Sequence, residues 1–155
     1  LADDLCASPS DGDHMRALGQ LAALYARYQC SIIAIEEVPA EDTGSYGIIS
    51  GEEIAPGIYQ VRDMVEKPKP EDAPSNLAII GRYILTPEIF AYLRNTKPGA
   101  NGEIQITDAL KSLAQDRQVL AVKFKGRRFD CGSVDGFIEA TNYYYENVYK
   151  KENKA

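Results

Sequence analysis

Apolar runs of strand length alternate along the chain with stretches of helical periodicity. The strand-like runs each contain Ile or Val and cover residues 31–38, 46–50, 58–65, 76–85 and 119–124. Apolar positions at three- and four-residue steps predict helices at about 12–28, 87–95 and 108–115, and a further helix from Ser133. Because a buried strand directly follows a helix, the pattern predicts one α/β domain with a mixed sheet.

Glycine and proline divide the predicted strands. Gly51 and a later Pro-Gly pair predict a loop over residues 51–57. Gly81 predicts a bulge or a close approach of backbone within its strand. Nearer the C-terminus, residues 126–128 predict a turn and residues 129–132 a tight junction before the last helix.

Residues with short polar side chains are expected to cap the helices. Ser10, Asp11 and Asp13 precede the first helical stretch, and Thr86 precedes the second. Thr107 is expected to cap the third helix in the same way.

Length and charge exclude several classes of protein. The chain has 155 residues, of which 45% are apolar, enough to bury the core of one compact domain but not of two. It carries 17 basic and 23 acidic residues, a net charge of -6 at pH 7, and so lacks the basic surface that nucleic-acid binding needs. No apolar run approaches the roughly 20 residues of a membrane span. We therefore expect neither a nucleic acid nor a membrane as a partner.

The three cysteines, Cys6, Cys30 and Cys131, are widely spaced and form no C-x-x-C motif. This pattern is typical of free thiols in a reducing compartment, so we expect a cytoplasmic protein. A single histidine leaves little material for a histidine-rich metal site or a Ser-His-Asp triad.

Carboxylates stand at two predicted strand ends, where α/β folds place their ligand crevice. Asp3 and Asp4 open the chain as if they followed a buried strand that is truncated, and Asp130 comes just before the last helix. Such residues can hold Mg²⁺, which takes one or two carboxylates together with phosphate oxygens. The spacing leaves alternatives open: a solvated loop pair for Asp3 and Asp4, and a helix-capping acid for Asp130.

The segment Glu66-Lys67-Pro68 offers a second kind of chemistry at a strand end. A carboxylate accepts hydrogen bonds from adjacent hydroxyls, which suits a sugar, and an ammonium group suits a phosphate. Pro68 is expected to keep Lys67 extended, so that both charged groups are presented reproducibly. An exposed ion pair, worth about 0–1 kcal/mol, is the alternative.

Six motifs follow one another along the chain. They are Leu-Ala-Asp-Asp-Leu at 1–5, Tyr-Gly at 46–47, Met-Val-Glu-Lys-Pro at 64–68, Ser-Asn-Leu-Ala-Ile-Ile-Gly-Arg-Tyr at 75–83, Gly-Glu-Ile-Gln-Ile-Thr-Asp-Ala at 102–109 and Phe-Asp-Cys-Gly at 129–132. In this order they resemble the C-terminal half to two-thirds of the sugar nucleotidylyltransferase family, and within it the bacterial uridylyltransferase branch. The resemblance covers essentially the whole chain. It implies the Rossmann-like nucleotide-diphospho-sugar transferase fold with a mixed sheet, truncated at its N-terminus.

The resemblance also implies an activity: transfer of UMP from UTP to glucose 1-phosphate, giving UDP-glucose and pyrophosphate. It assigns Asp3 and Asp130 to Mg²⁺ beside the phosphates. It assigns Lys67, as a catalytic residue, to the phosphates on the sugar side and Glu66 to the glucose hydroxyls. The backbone of Gly47 would approach the sugar, because a side chain there would fill the space that the ring needs. Asp4 is implied only as a supporting contact.

The family also has an N-terminal Gly-rich loop with a catalytic arginine, and residues 1–155 contain no match for it. We therefore expect residues 1–155 to be the sugar-phosphate-binding part of a single domain whose nucleotide-binding part is absent, and to be inactive alone. A thymidylyltransferase, another sugar-1-phosphate nucleotidylyltransferase and a non-catalytic sugar-phosphate-binding fragment are the alternatives. Because missing strands would expose apolar sheet edges, we also expect self-association into a homo-oligomer.

Overall fold

The computed structural model describes residues 3–7, 16–99 and 102–152. The strands in this part of the chain are β1 (Asp4–Ala7), β2 (Ser31–Glu37), β3 (Gly47–Ala55), β4 (Ile58–Glu66), β5 (Leu77–Ile84), β6 (Val119–Lys123) and β7 (Arg127–Asp130). The helices are α1 (Ala17–Tyr28), α2 (Ile89–Asn95), α3 (Ile106–Asp116), α4 (Val134–Tyr144) and α5 (Lys150–Glu152). Short 3₁₀ helices occupy Ala40–Ser45 and Pro70–Asp72, and a π-helical turn, Tyr145–Tyr149, joins α4 to α5.

Five strands pair in the order β2-β5-β3-β4-β6, and the circuit closes because β6 also pairs with β2. The β2-β6 pair is parallel and the other pairs are antiparallel, so the predicted mixed sheet is confirmed. Among these five strands the closed circuit leaves no free edge. The exposed edges from which we expected self-association are therefore absent from this sheet.

The faces of β2 are covered by different helices. Ile33 and Ile35 belong to the core beneath α2 and α3, whereas Ile32 and Ala34 pack with Leu21 of α1. All four β2 side chains are fully buried. A strand buried on both faces has no polar side, which explains why its sequence is a continuous apolar run.

The β3-β4 hairpin is longer than the sequence predicted. The expected loop over 51–57 is wrong, because β3 continues to Ala55 and pairs with β4 up to a tight turn at Gly57, whose φ is 74°. The register shifts between Ser50 and Gly51, so Gly51 marks an irregularity within the strand. The mostly polar sequence of this segment reflects exposure of the hairpin end rather than the absence of a strand. The predicted irregularity at Gly81 is confirmed, since the β2-β5 register shifts opposite it and its φ is 61°.

Strand β7 occupies residues 127–130, which the sequence assigned to a turn and to the first half of the junction, and it forms a two-stranded sheet with β1. Cys131 and Gly132 form a turn before α4, as predicted. The two strands are antiparallel, and Asp4 lies directly opposite Asp130. Asp4 is the first residue of β1, and the strand end expected before Asp3 lies outside the described residues. A four-residue strand with two arginines carries no local strand signal, and its stability comes from distant partners: β1 pairs with it, and Phe129 packs against Ala140 of α4.

The predicted helices are present with altered beginnings. Helix α1 ends at Tyr28 as predicted, but its expected start and its caps Ser10, Asp11 and Asp13 lie outside the described residues. Helix α3 begins at Ile106, so Thr107 lies within the helix and is not its cap. The last helix begins where the sequence predicted it, and Ser133 is its cap, because the Ser133 Oγ accepts a hydrogen bond from the Gly136 N–H at 3.0 Å.

Candidate functional site

A cavity of about 360 Å³ lies between the β1-β7 sheet, the β3-β4 hairpin and the start of α3. All six residues singled out from the sequence line it: Asp3, Asp4, Gly47, Glu66, Lys67 and Asp130. They come from four of the motifs, and more than 120 positions separate the first from the last. The fold therefore brings the candidate metal-binding and sugar-binding residues to one cavity.

Asp3 and Asp130 point their carboxylates at a common place. The N–H of Cys131 donates to the backbone oxygen of Asp3 at 2.8 Å, which extends the β1-β7 contact by one residue. A Cβ built on Gly132 would lie 3.1 Å from Asp130 Oδ1 and 3.3 Å from Asp3 Oδ2. Gly132 thus lets the two carboxylates approach each other without an intervening side chain.

This donor set fits magnesium. Asp3 and Asp130 are both exposed on the cavity wall, so their oxygens remain accessible to an ion. Residues 3–7, 16–99 and 102–152 contain no cluster of three or more His, Cys, Asp or Glu side chains arranged for a metal. Two carboxylates without further protein ligands suit Mg²⁺, which completes its shell with water and phosphate oxygens, better than they suit a zinc site.

Arg128 organises the acidic side of the cavity, and the sequence reading missed it. Its Nε donates to Asp4 Oδ1, its Nη1 to Glu36 Oε1 at 3.0 Å, and its Nη2 lies 3.4 Å from Asp130 Oδ2. Nη1 also lies 3.3 Å from the Tyr46 hydroxyl, and the guanidinium sits 5.2 Å from the centre of that ring. Its spacing from Asp130 could have predicted its place in the cavity, because Arg128 is two positions before Asp130 and strand residues two apart share a face.

Burial sets the roles of the carboxylates around Arg128. The side chain of Asp4 is only 4% exposed and that of Arg128 only 9%, so this ion pair is shielded from water. Desolvation raises the pKa of Glu36, and the positive charge of Arg128 opposes that rise. The Asp130 side chain is 48% exposed. Asp4 therefore acts on the site through Arg128, whereas Asp130 can meet a ligand directly.

On the opposite wall, Glu66 is held by α3. Gly47 and Glu66 are direct partners across the β3-β4 hairpin, so the Glu66 side chain lies on the face where Gly47 has none. The hydroxyl of Thr107 donates to Glu66 Oε2 at 2.5 Å. The sequence reading gave Thr107 a capping role, and the structure gives it this long-range partner instead.

The backbone of Lys67 is not extended, so that expectation is wrong. Its φ is 45°, in the left-handed region that a residue other than glycine rarely adopts. The Lys67 N–H donates to the backbone oxygen of Tyr46 at 2.9 Å, and the following Pro68 is buried. These contacts override the preference of a pre-proline residue for extended backbone. The side chain of Lys67 is exposed at the cavity wall.

Tyr83 is a further cavity residue that the sequence reading did not assign. Burial, and then the nearby carboxylates of Glu66 and Asp4, raise the pKa of its phenol to about 12. The hydroxyl is therefore neutral at physiological pH and can donate a hydrogen bond. Its place in the Gly81-Arg82-Tyr83 motif was the available signal.

The fold and this cavity define a class of protein. The family model described as nucleotidyl transferase matches residues 2–147, nearly the whole chain. This chain belongs to the nucleotidyl transferase family.

Similar proteins within this family indicate which nucleotidyl transferases the chain resembles. The chain is 63% identical over 150 residues to the UTP–glucose-1-phosphate uridylyltransferase of Pseudomonas aeruginosa, covering 97% of this chain and 53% of that protein. A solved structure of UDP-glucose pyrophosphorylase complexed with UDP-glucose superposes with a TM-score of 0.88 at 60% identity, over 94% of this chain and 54% of that one. A UTP-bound UGPase from Acinetobacter baumannii gives a TM-score of 0.76 at 34% identity, over 93% of this chain and 48% of that one. The chain spans about half the length of the curated relatives it matches.

Among the described residues, no helix has the length and apolar character needed to cross a membrane. Cys6, Cys30 and Cys131 are all free thiols.

We expect Arg128→Met to lower the free energy of unfolding by about 3–5 kcal/mol, because it removes the guanidinium that pairs with the buried Asp4 carboxylate. Urea denaturation followed by circular dichroism measures this change. Arg62→Met is the matched control: its partner Glu52 lies 3.4 Å away with both side chains exposed, so it should cost no more than about 1 kcal/mol. Equal midpoints for the two variants would contradict the role given to Arg128.

Proposed function

We propose that the protein carrying this chain transfers UMP from UTP to glucose 1-phosphate, forming UDP-glucose and pyrophosphate. The observation that carries the proposal is the single cavity, in which accessible carboxylates face a glutamate and a lysine. Carboxylates suit a metal-bound phosphate, and an adjacent glutamate and lysine suit a sugar and its phosphate. The names of the similar proteins, which specify UTP and UDP-glucose, support the same reaction.

In this reaction a phosphate oxygen of glucose 1-phosphate attacks the α-phosphorus of UTP. The new P–O bond forms as the bond to pyrophosphate breaks, and pyrophosphate carries away the electron pair. The protein therefore acts by positioning the two substrates and by neutralising their charge. Lys67 supplies a positive charge to the phosphates, and Glu66 accepts hydrogen bonds from glucose hydroxyls. Gly47 has no side chain and so leaves space for the sugar ring.

Asp3 and Asp130 are the residues that would hold Mg²⁺, with Asp4 supporting them through Arg128. When bound, the ion would neutralise phosphate charge and help orient the substrates. The hydrogen bond from the Gly132 N–H to Asp130 Oδ1, 3.1 Å long, fixes the direction of one carboxylate in advance.

The three free thiols support a reducing compartment, and we place the protein in the cytoplasm. The alternatives of a thymidylyltransferase or another sugar-1-phosphate nucleotidylyltransferase receive no support from a described contact. The names of the similar proteins favour UTP over dTTP.

We expect glucose 1-phosphate to bind this chain and Lys67→Ala to weaken that binding at least tenfold. The estimate follows because a hydrogen bond to a charged group contributes roughly 1.5–3 kcal/mol. Isothermal titration calorimetry in the presence of Mg²⁺ measures the affinity. Lys69→Ala is the control, since Lys69 is exposed, lies two positions further on and does not line the cavity. No heat of binding with the unmodified chain would contradict the proposed function.

The 155-residue chain alone should form no UDP-glucose from UTP, glucose 1-phosphate and Mg²⁺. The physical reason is that it offers no Gly-rich loop to hold the triphosphate. A coupled assay for pyrophosphate, with the Pseudomonas aeruginosa relative as positive control, tests this. Release of pyrophosphate above the enzyme-free rate would show that these residues suffice for catalysis.

We also propose that the chain forms a homo-oligomer through α4. Val134, Phe137 and Ile138 on this helix are 76%, 60% and 52% exposed, an apolar surface that a second copy can cover.

Light scattering coupled to size-exclusion chromatography should give a multiple of 17.1 kDa for the unmodified chain. Phe137→Glu should shift the mass towards a single chain, because it places a charge in the buried contact. Phe90→Glu, at a similarly exposed position on α2, is the control and should leave the mass unchanged. A single-chain mass for the unmodified protein would contradict the proposal.

A further inference from the structure

We infer that Thr107 is a positioning residue for sugar binding, acting through Glu66, an inference that rests on the proposed function. Thr107 is 4% exposed and lies in the first turn of α3. Its Oγ1 donates to Glu66 Oε2 at 2.5 Å, across 41 positions of sequence. A threonine hydroxyl has a single proton to donate, and Thr107 donates it to this carboxylate.

The contact leaves the two oxygens of Glu66 unequal. In the part of the chain that the structure describes, Thr107 is the hydrogen-bond partner of Oε2, and no protein group donates to Oε1. Glu66 is half-buried and lines the cavity, so a carboxylate oxygen of this residue without a protein donor suits a donor from a ligand. A sugar hydroxyl is such a donor. Thr107 therefore fixes the carboxylate so that its remaining acceptor positions are directed to the ligand.

Gly47 makes room for this arrangement. A Cβ at position 47 would lie 3.0 Å from Thr107 Oγ1, 3.1 Å from Glu66 Oε2 and 3.2 Å from Ile79 Cδ1. Each of these distances is tighter than ordinary van der Waals contact. The glycine thus serves the Thr107-Glu66 contact as well as the space for a sugar ring.

A purely structural role for Thr107, holding α3 against β4, would also explain the hydrogen bond. The two roles differ in what they do to ligands. A structural role changes the stability of the fold and leaves the affinities for different ligands in the same ratio. A positioning role changes the affinity for a ligand that carries sugar hydroxyls and spares a ligand that carries only the phosphate.

Thr107→Val tests the difference, because valine keeps the shape of threonine and removes the donor. We expect it to weaken glucose 1-phosphate binding roughly five- to tenfold, the range for one lost hydrogen bond, and to leave the affinity for inorganic phosphate unchanged. Thr107→Ser keeps the hydroxyl and should bind glucose 1-phosphate within about twofold of the unmodified chain. Calorimetric titration of each variant, with circular dichroism to establish folding, supplies both readouts. If the valine variant does not fold, Thr107→Ala replaces it in the same comparison.

Glu66→Gln completes the experiment as a double-mutant cycle. If Thr107 acts through Glu66, adding Thr107→Val to Glu66→Gln should cause no further loss of glucose 1-phosphate affinity. Two results would overturn the inference. One is that Thr107→Val binds glucose 1-phosphate as tightly as the unmodified chain does. The other is that Thr107→Val loses as much affinity for inorganic phosphate as it loses for glucose 1-phosphate. Failure of the unmodified chain to bind glucose 1-phosphate would instead overturn the proposed function.

Discussion

The buried ion pair between Arg128 and Asp4 is the interaction on which the rest of the site depends. It joins β1 to β7, and the same guanidinium reaches Glu36 on β2 and the hydroxyl of Tyr46 before β3. One cation thus fixes four separate segments around a common wall. Because a buried charge is costly unless it is paired, this network is stable only when all its members are in place.

Buried and exposed residues of the cavity have different roles. Asp4, Arg128 and Thr107 are shielded from water and hold other groups in place. Asp130 and Lys67 are exposed and can meet a ligand. The buried residues bear the free-energy cost of desolvation, and they keep the same partners when a ligand binds. The exposed groups can exchange bound water for substrate.

The sequence predicted the parts of the molecule that follow local rules. The apolar run of β2 and the periodicity of α1 and α3 were sufficient for a mixed α/β domain. The ordered motifs identified six of the residues that line the cavity. The features that neither the local patterns nor the motifs predicted are those that depend on residues distant in sequence. Strand β7 exists because β1 pairs with it, and the backbone of Lys67 is left-handed because the Tyr46 oxygen accepts its N–H.

The pairing of β1 with β7 has a consequence for biosynthesis. Asp4 and Arg128 are 124 positions apart, so the carboxylate leaves the ribosome long before its guanidinium exists. Until then the first residues have no β7 against which to form a strand, and the acidic wall cannot assemble. The α1 layer and the β3-β4 hairpin can form earlier from nearer segments, so within residues 3–152 the cavity closes after them.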